Sequence, residues 1–191
     1  EEGAEVTADL AAAAADADAL DEGAMADVRS ELVDRRESVA AEKDLDGRLE
    51  AVRNELVAGR ETVDGLPIAT EGFDAVAGGV RKSYRRARDR MAEAYEDPST
   101  ERFHEWRKRV KYHRYHTRLL RSIWVGPMKA RRSELKTLSD WIGDEHDRAV
   151  FESTMTEESR FDPETRETLA SVIATRRAEL RRRGRPLGER M

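Results

Sequence analysis

The sequence contains no cysteine, which excludes disulfide frameworks, thiol nucleophiles and thiolate metal sites. No apolar run approaches the length that spans a membrane, and the first residues lack the basic-then-apolar pattern of a signal segment. We therefore expect a cytoplasmic protein with no membrane partner. A chain of 191 residues is long enough to bury a real core.

Strand-like runs of Val, Ile and Thr are also missing, whereas Ala, Leu, Glu and Arg dominate. This composition predicts an all-α fold of long amphipathic helices joined by short loops, packed as antiparallel bundles. A loop-rich segment, 59–72, would join two halves. The predicted helices cover 7–20, 22–41, 45–57, 73–95, about 100–124, 128–142 with a continuation through 144–154, and 164–183. Proline and glycine are expected to end helices near 98, 126–127 and 184–186.

The formal net charge of −5 hides a strong asymmetry. Residues 1–50 carry 16 acids and 5 bases, whereas 81–150 carry 19 bases and 11 acids, and 171–191 carry 7 arginines and 2 glutamates. Cations are therefore concentrated in the second half of the chain. Arginine outnumbers lysine by 29 to 6, which suits bidentate phosphate contacts. A GC-rich genome or a halophilic host would give the same bias.

Residues 103–120 place two rows on one helix. An apolar seam recurs at spacings of three and four, and a row of cations follows the same spacing one residue further round. Such a row is costly beside a core unless an anion lies there, because like charges on neighbouring turns repel. The seam is Phe103, Trp106, Val110, His113, Thr117 and Leu120, and the cation row is His104, Arg107, Lys111, Arg114 and Arg118.

Two other helices carry rows of cations with helical spacing. Arg81, Arg85 and Arg88 fall at i, i+4 and i+7, and Arg177 and Arg181 lie four residues apart. If these helices pack side by side, we expect their cations to line a common channel. A row this long suits a polymeric anion, since a single phosphate needs only two or three donors. The alternative is a set of solvated helix faces.

The four histidines do not have the spacing of a metal site. We interpret His113 as a core residue because it falls on the seam, whereas His104 is placed to donate a hydrogen bond to an anion. His146 lies in an acidic cluster, 143–147, which we interpret as a hydrogen-bonded helix junction. The competing hypothesis is a metal- or phosphate-dependent enzyme that uses His104 and this cluster.

No glycine-lysine phosphate loop and no GxSxG turn is present. Trp106, Tyr112 and Tyr115 interleave with basic residues, which leaves open an RNA-binding or protein-interaction module. Nucleic acid is nevertheless an unlikely partner, since the acidic first half would repel a duplex and Trp106 falls on the seam.

These segments together resemble the CHAD domain family, the conserved-histidine α-helical domains. The similarity is strong over 72–151, with the arginine-rich helix at 79–91, the hallmark histidine segment at 103–115 and the leucine, glycine and aspartate pattern at 135–151. The last residues, 181–191, resemble the start of the family's closing segment. The matching positions are Tyr84, His104, Arg107, Lys108, Lys111, Arg114, Leu135, Leu138, Gly143 and Asp147.

The resemblance implies two pseudo-symmetric helical halves with a shared basic surface. It further implies a non-catalytic targeting or scaffolding module that binds inorganic polyphosphate without a metal or another cofactor. We expect one domain over 1–191, with 1–65 as the remainder of the first half and 72–191 as the second half that carries the basic motif. Because 1–50 lacks the family's first histidine-and-arginine segment and the sequence stops where the family would continue, the chain is expected to be truncated at both ends. The predicted polyphosphate-binding residues are Arg81, Arg85, Arg88, His104, Arg107, Lys108, Lys111, Arg114, Arg118, Arg177 and Arg181.

Overall fold

The computed structural model describes residues 45–67, 70–158 and 162–191, with a few helical positions between 23 and 34. These residues contain no strand, which confirms the all-α prediction. The predicted helix 7–20 and most of 22–41 lie outside the described residues. The five helices with defined bounds are α1 (Leu45–Asp64), α2 (Asp74–Glu96), α3 (Thr100–Leu119), α4 (Val125–Glu158) and α5 (Pro163–Glu189).

Local signals in the sequence fix the beginnings of α3 and α5. The Ser99 hydroxyl accepts a hydrogen bond from the backbone N–H of Arg102 at 3.3 Å. Asp162 accepts from the backbone N–H groups of Glu164 and Thr165 at 2.9 and 3.0 Å, and Pro163 follows as the first helical residue. These are N-cap interactions, which satisfy donors that have no partner inside the helix. The starts predicted at about 100 and at 164 are confirmed to within one residue.

The chain divides into two compact units, one of which contains residues 76–191 and the other residues 21–75. In the first unit α2 to α5 form a bundle, with α4 packed against both α3 and α5. Its core consists of Ala87, Met91, Ala94, Phe103, Trp106, Val110, Leu135, Leu138, Ile142 and Met191. In the second unit α1 carries Leu49, Val52 and Leu56 as exposed side chains. No helix of the described ranges is both long enough and apolar enough to cross a membrane.

Neighbouring helices of the bundle run antiparallel. Between α3 and α4, Arg107 lies against Gly143 and His104 lies against His146. Three residues towards the N-terminus of α3 therefore correspond to three residues towards the C-terminus of α4, so the two helices run in opposite directions. Short connections impose this arrangement, because only three residues separate α2 from α3.

Several predicted helix boundaries were wrong. α3 ends at Leu119 and α4 begins at Val125, so Gly126 and Pro127 lie inside the first turn of α4. Proline is tolerated there because backbone N–H groups of the first turn have no helical partner. α1 also continues beyond 57 to Asp64.

A further difference concerns α5, which continues through Gly184 and Pro186 to Glu189. The Cα of Gly184 faces Leu138 and the Tyr95 hydroxyl, whereas that of Gly188 faces Met91 and Trp106. A Cβ atom at residue 188 would clash with these neighbours, so Gly188 lets α5 approach them closely. Packing between helices therefore outweighs the poor intrinsic helix propensity of glycine.

Candidate anion-binding surface

The two rows on α3 lie where the spacing predicts. Phe103, Trp106, Val110, His113 and Thr117 are buried, while Leu120 caps the helix and is half-buried. The cation row runs beside this seam. In that row His104, Arg107, Lys111 and Arg114 are half-buried and Arg118 is exposed.

α4 forms the other side of a groove along this row. A Cβ atom added to Gly143 would lie 3.2 Å from Nη2 and 3.4 Å from Nε of Arg107, so the guanidinium group rests on the glycine backbone. The ring centroids of His104 and His146 are 4.5 Å apart. We call this region the α3–α4 groove. It comprises the cation row of α3 and the residues of α4 that share the face of Gly143 at spacings of three and four, namely Arg132, Lys136, Ser139 and His146.

On the α4 side of the groove Lys136 forms an ion pair with Asp140, but the cation row of α3 is poorly compensated. Among the described residues, no carboxylate forms an ion pair with Arg107, Lys111, Arg114 or Arg118. Arg107 Nε, His104 Nδ1 and His146 Nδ1 are buried and have no hydrogen-bond partner. Burial, together with the nearby His104 and Arg107, lowers the pKa of His146 below its usual 6.5. The groove therefore offers donors and cations that lack an anionic partner within the described chain.

Lys108 differs from the row that it neighbours. Its ammonium group forms an ion pair with Glu105, which also lies 4.0 Å from Arg109. The hydrogen bond from Lys108 lowers the pKa of the Glu105 carboxyl. Part of the charge of Lys108 is thus already neutralised on the same helix.

The row on α2 lies beside two tyrosines. Arg81, Arg85 and Arg88 are exposed, and successive steps of 100° place them beside Tyr84 and Tyr95. The hydroxyls of these tyrosines donate hydrogen bonds to the backbone carbonyls of Met191, after α5, and of Arg181, within α5. Their rings also contact α3, Tyr84 at His113 and Tyr95 at Phe103 and Trp106. A common channel formed by this row and the α3–α4 groove stays a prediction.

The two predicted arginines of α5 are held by carboxylates. Glu145 is 1% exposed, and its Oε1 accepts hydrogen bonds from Nε of Arg177 at 3.1 Å and from Nη2 of Arg181 at 2.6 Å. Arg177 also donates to Glu152 and to the Thr100 hydroxyl. This network joins α5 to α3 and α4. Its geometry supports the packing of the bundle, and binding of an external anion by these arginines stays a prediction.

The acidic cluster of 143–147 does not converge on one point. Asp144 is exposed, Glu145 is buried toward α5, and His146 faces α3. Consecutive residues of a helix point in directions 100° apart, which explains this separation. Within the described ranges, no group of three His, Asp or Glu side chains is arranged to hold a metal ion.

His113 lies in the core, as its position on the seam predicts. It is 8% exposed, and its ring makes an edge contact with Tyr84 at a centroid distance of 5.3 Å. Burial, assisted by Arg131 and His116, lowers its pKa to about 4. His113 is therefore neutral in the folded protein near pH 7.

Sequence reasoning missed the contribution of α4 to the groove. Arg132, Lys136, Ser139, Gly143 and His146 have alternating spacings of four and three, which is the same pattern that identified the row on α3. The pattern was hidden because small, polar and basic residues share that face. The contact between Arg107 and Gly143 shows that a small residue on this face makes room for an arginine side chain of α3.

The fold and the groove define an all-α bundle with a basic surface, and comparison with known proteins identifies its family. The chain matches the family model described as CHAD domain over residues 1–156. The chain therefore belongs to the CHAD domain family, which is associated with polyphosphate- and triphosphate-related proteins. No curated protein matches the chain, and no solved structure matches it either.

Proposed function

We propose that this protein binds inorganic polyphosphate along the α3–α4 groove, as a non-catalytic targeting or scaffolding module. The observation that carries the proposal is the half-buried guanidinium of Arg107 on Gly143, which has no carboxylate partner among the described residues. An uncompensated, partly desolvated arginine is costly unless an anion completes its hydrogen bonds.

The length of the row supports a polymeric ligand. From His104 to Arg118 the helix rises by about 21 Å, at about 1.5 Å per residue. Four cations along this distance lack an ion pair in the described chain: Arg107, Lys111, Arg114 and Arg118. A chain of linked phosphoryl groups can contact such a row at several points, so that many weak contacts add up.

The remaining predicted residues have different places in the proposal. Arg81, Arg85 and Arg88 form a second exposed basic strip that a long polymer could reach after leaving the groove. Lys108, Arg177 and Arg181 already have carboxylate partners, so we expect smaller contributions from them.

The test is a titration of the protein with long-chain polyphosphate, comparing wild type with the double variant Arg107→Ala/Lys111→Ala. Removing two phosphate contacts should weaken binding by roughly tenfold or more at low salt, because each charge-assisted hydrogen bond contributes about 1 kcal/mol or more. Arg53→Ala/Arg60→Ala on α1 removes the same charge from exposed positions and is the matched control.

Equal affinities for wild type and the groove variant would contradict the proposal. An equal loss in both double variants would also contradict it, since net charge alone would then explain binding. RNA of similar charge serves as a competitor. If RNA displaced polyphosphate at equal phosphate concentration, the assignment of polyphosphate as the preferred anion would fail.

A further inference from the structure

His104 and His146 meet across the groove, on different helices. Their ring centroids are 4.5 Å apart with an interplanar angle of 41°, and the guanidinium group of Arg107 rests one turn away on Gly143. The Nδ1 atoms of both histidines are buried and unpartnered within the described chain. Three potential cations thus share one end of the groove.

We propose that His104, Arg107 and His146 form a subsite for one phosphoryl group, and that His146 takes up a proton from solvent when this anion binds. The proposal rests on the proposed function and adds a regulatory property to it. Histidine changes its charge near physiological pH, so binding at this subsite depends on pH.

The argument begins with repulsion in the empty groove. Burial and the neighbouring His104 and Arg107 side chains disfavour the protonated form of His146. A phosphoryl group bound beside the pair reverses this preference, because protonated His146 can then donate a charge-assisted hydrogen bond to it. Binding and protonation therefore stabilise one another. No covalent bond changes, and the proton comes from water or buffer.

The surroundings of the pair permit this change of charge. On α4, Asp147 and Glu145 favour the protonated form of His146, whereas His104 and Arg107 on α3 oppose it more strongly. Asp144 lies on the exposed side of α4, and Glu105 follows His104 on α3. Glu145 is bound by Arg177 and Arg181 of α5, which reduces its influence on the groove. α2 packs on the other flank of α3, where Arg102 reaches Asp97.

The direction of the pH effect follows from linkage. In the free protein the pKa of His146 is below 6.5, so the ring is neutral at pH 7. A bound anion raises this pKa, and proton uptake occurs between the free and bound values. Affinity therefore increases as the pH falls from the bound-state pKa towards the free-state pKa, and this gain is lost as the pH rises through the bound-state pKa.

The experiment is isothermal titration calorimetry with long-chain polyphosphate in two phosphate-free buffers of different ionisation enthalpy, at pH 6.5. Long chains are used because their titrating terminal groups, which have a pKa of about 6, are then a small fraction of the ligand. We expect uptake of up to about one proton for each occupied subsite, and affinity about three- to tenfold higher at pH 6 than at pH 8.

His146→Gln and His104→Gln should each retain binding at pH 8 but reduce the ratio between pH 6 and pH 8 to less than about twofold. His116→Gln is the matched control, because His116 lies on α3 but on the flank away from the groove. Binding without proton uptake in the wild type would overturn the proposal and leave the proposed function intact. Absence of binding at every pH would overturn both. Loss of uptake in His116→Gln with retention in both other variants would also contradict the subsite.

Discussion

At the scale of the residue, the contact between Arg107 and Gly143 links the local sequence to the candidate site. Glycine in the middle of a helix such as α4 costs about 1 kcal/mol relative to alanine. Glycine at this position leaves room for Arg107, because a Cβ atom at residue 143 would lie 3.2 Å from Nη2 of Arg107. The glycine therefore determines how deeply the guanidinium group lies in the groove.

Gly143→Ala should weaken polyphosphate binding without lowering the stability of the fold. The added methyl group would displace the Arg107 guanidinium by a few tenths of an ångström, and we expect polyphosphate affinity to fall by about threefold as its hydrogen bonds weaken. The free energy of unfolding should stay unchanged or rise by up to about 1 kcal/mol, because alanine favours the helix. Titration with polyphosphate and urea denaturation measure the two effects.

Gly79→Ala in α2 is the control for this prediction, since no atom lies within 4 Å of a Cβ added there. It should give the same gain in helix propensity without any change in affinity. If Gly143→Ala bound polyphosphate as tightly as Gly79→Ala, the role assigned to the contact with Arg107 would be wrong.

At the scale of the element, α5 shows how close approach of two helices selects glycine. A Cβ on Gly188 would lie 2.6 Å from Met91 Sδ and 2.8 Å from Trp106 Cζ2, whereas one on Gly184 would make ordinary contacts at 3.5 Å. Trp106 is fully buried and cannot move freely. The two glycines of one helix therefore tolerate a methyl group very differently.

We expect Gly188→Ala to lower the free energy of unfolding by about 1–3 kcal/mol, because an extra methyl group overpacks the core. Gly184→Ala should be neutral or stabilising by up to about 1 kcal/mol, since it improves helix propensity without a clash. Urea denaturation of both variants beside wild type makes the comparison. Equal stability of the two variants would show that α5 adjusts freely at its end, contrary to the packing described here.

The helices also show which features are readable from sequence. The beginnings of α3 and α5 were predictable because Ser99 and Asp162 act on backbone groups only two or three residues away. The seam of α3 was predictable because burial repeats with the helical period. The end of α5 was not, since whether Gly184 and Pro186 interrupt a helix depends on contacts with α2 and α4.

The same distinction applies to the candidate site. One helix of the groove could be identified from spacing alone, and the family resemblance is confirmed. Pairing of Arg177 and Arg181 with Glu145 joins residues more than 30 positions apart, which no local pattern indicates. Predictions of two pseudo-symmetric halves, a halophilic host and a cytoplasmic location stay predictions.

At the scale of the whole molecule, binding must overcome an overall charge of −5. The net charge of 1–50 is strongly negative, so long-range attraction of a polyanion is weak and contacts within the groove must supply the affinity. Short-range contacts of this kind release counterions from the polymer. The dependence of affinity on salt concentration therefore reports the number of phosphate contacts. The dependence of affinity on polyphosphate length shows whether one polymer occupies several of these contacts at once.

The final prediction concerns these two dependences. In single-stranded nucleic acids each phosphate contact contributes about −0.7 to the slope of log affinity against log salt concentration. With the same contribution from polyphosphate, the four cations of α3 without an ion pair in the described chain predict a slope near −3. Arg107→Ala/Lys111→Ala should reduce its magnitude by about 1.4. From Arg107 to Arg118 the helix rises by about 16 Å. Tripolyphosphate, with three phosphoryl groups, is too short to follow the whole row, so it should bind more weakly than a long chain at equal phosphate concentration. A slope near zero, or equal affinity for tripolyphosphate and the long chain, would mean that a single local site rather than the row of α3 holds the anion.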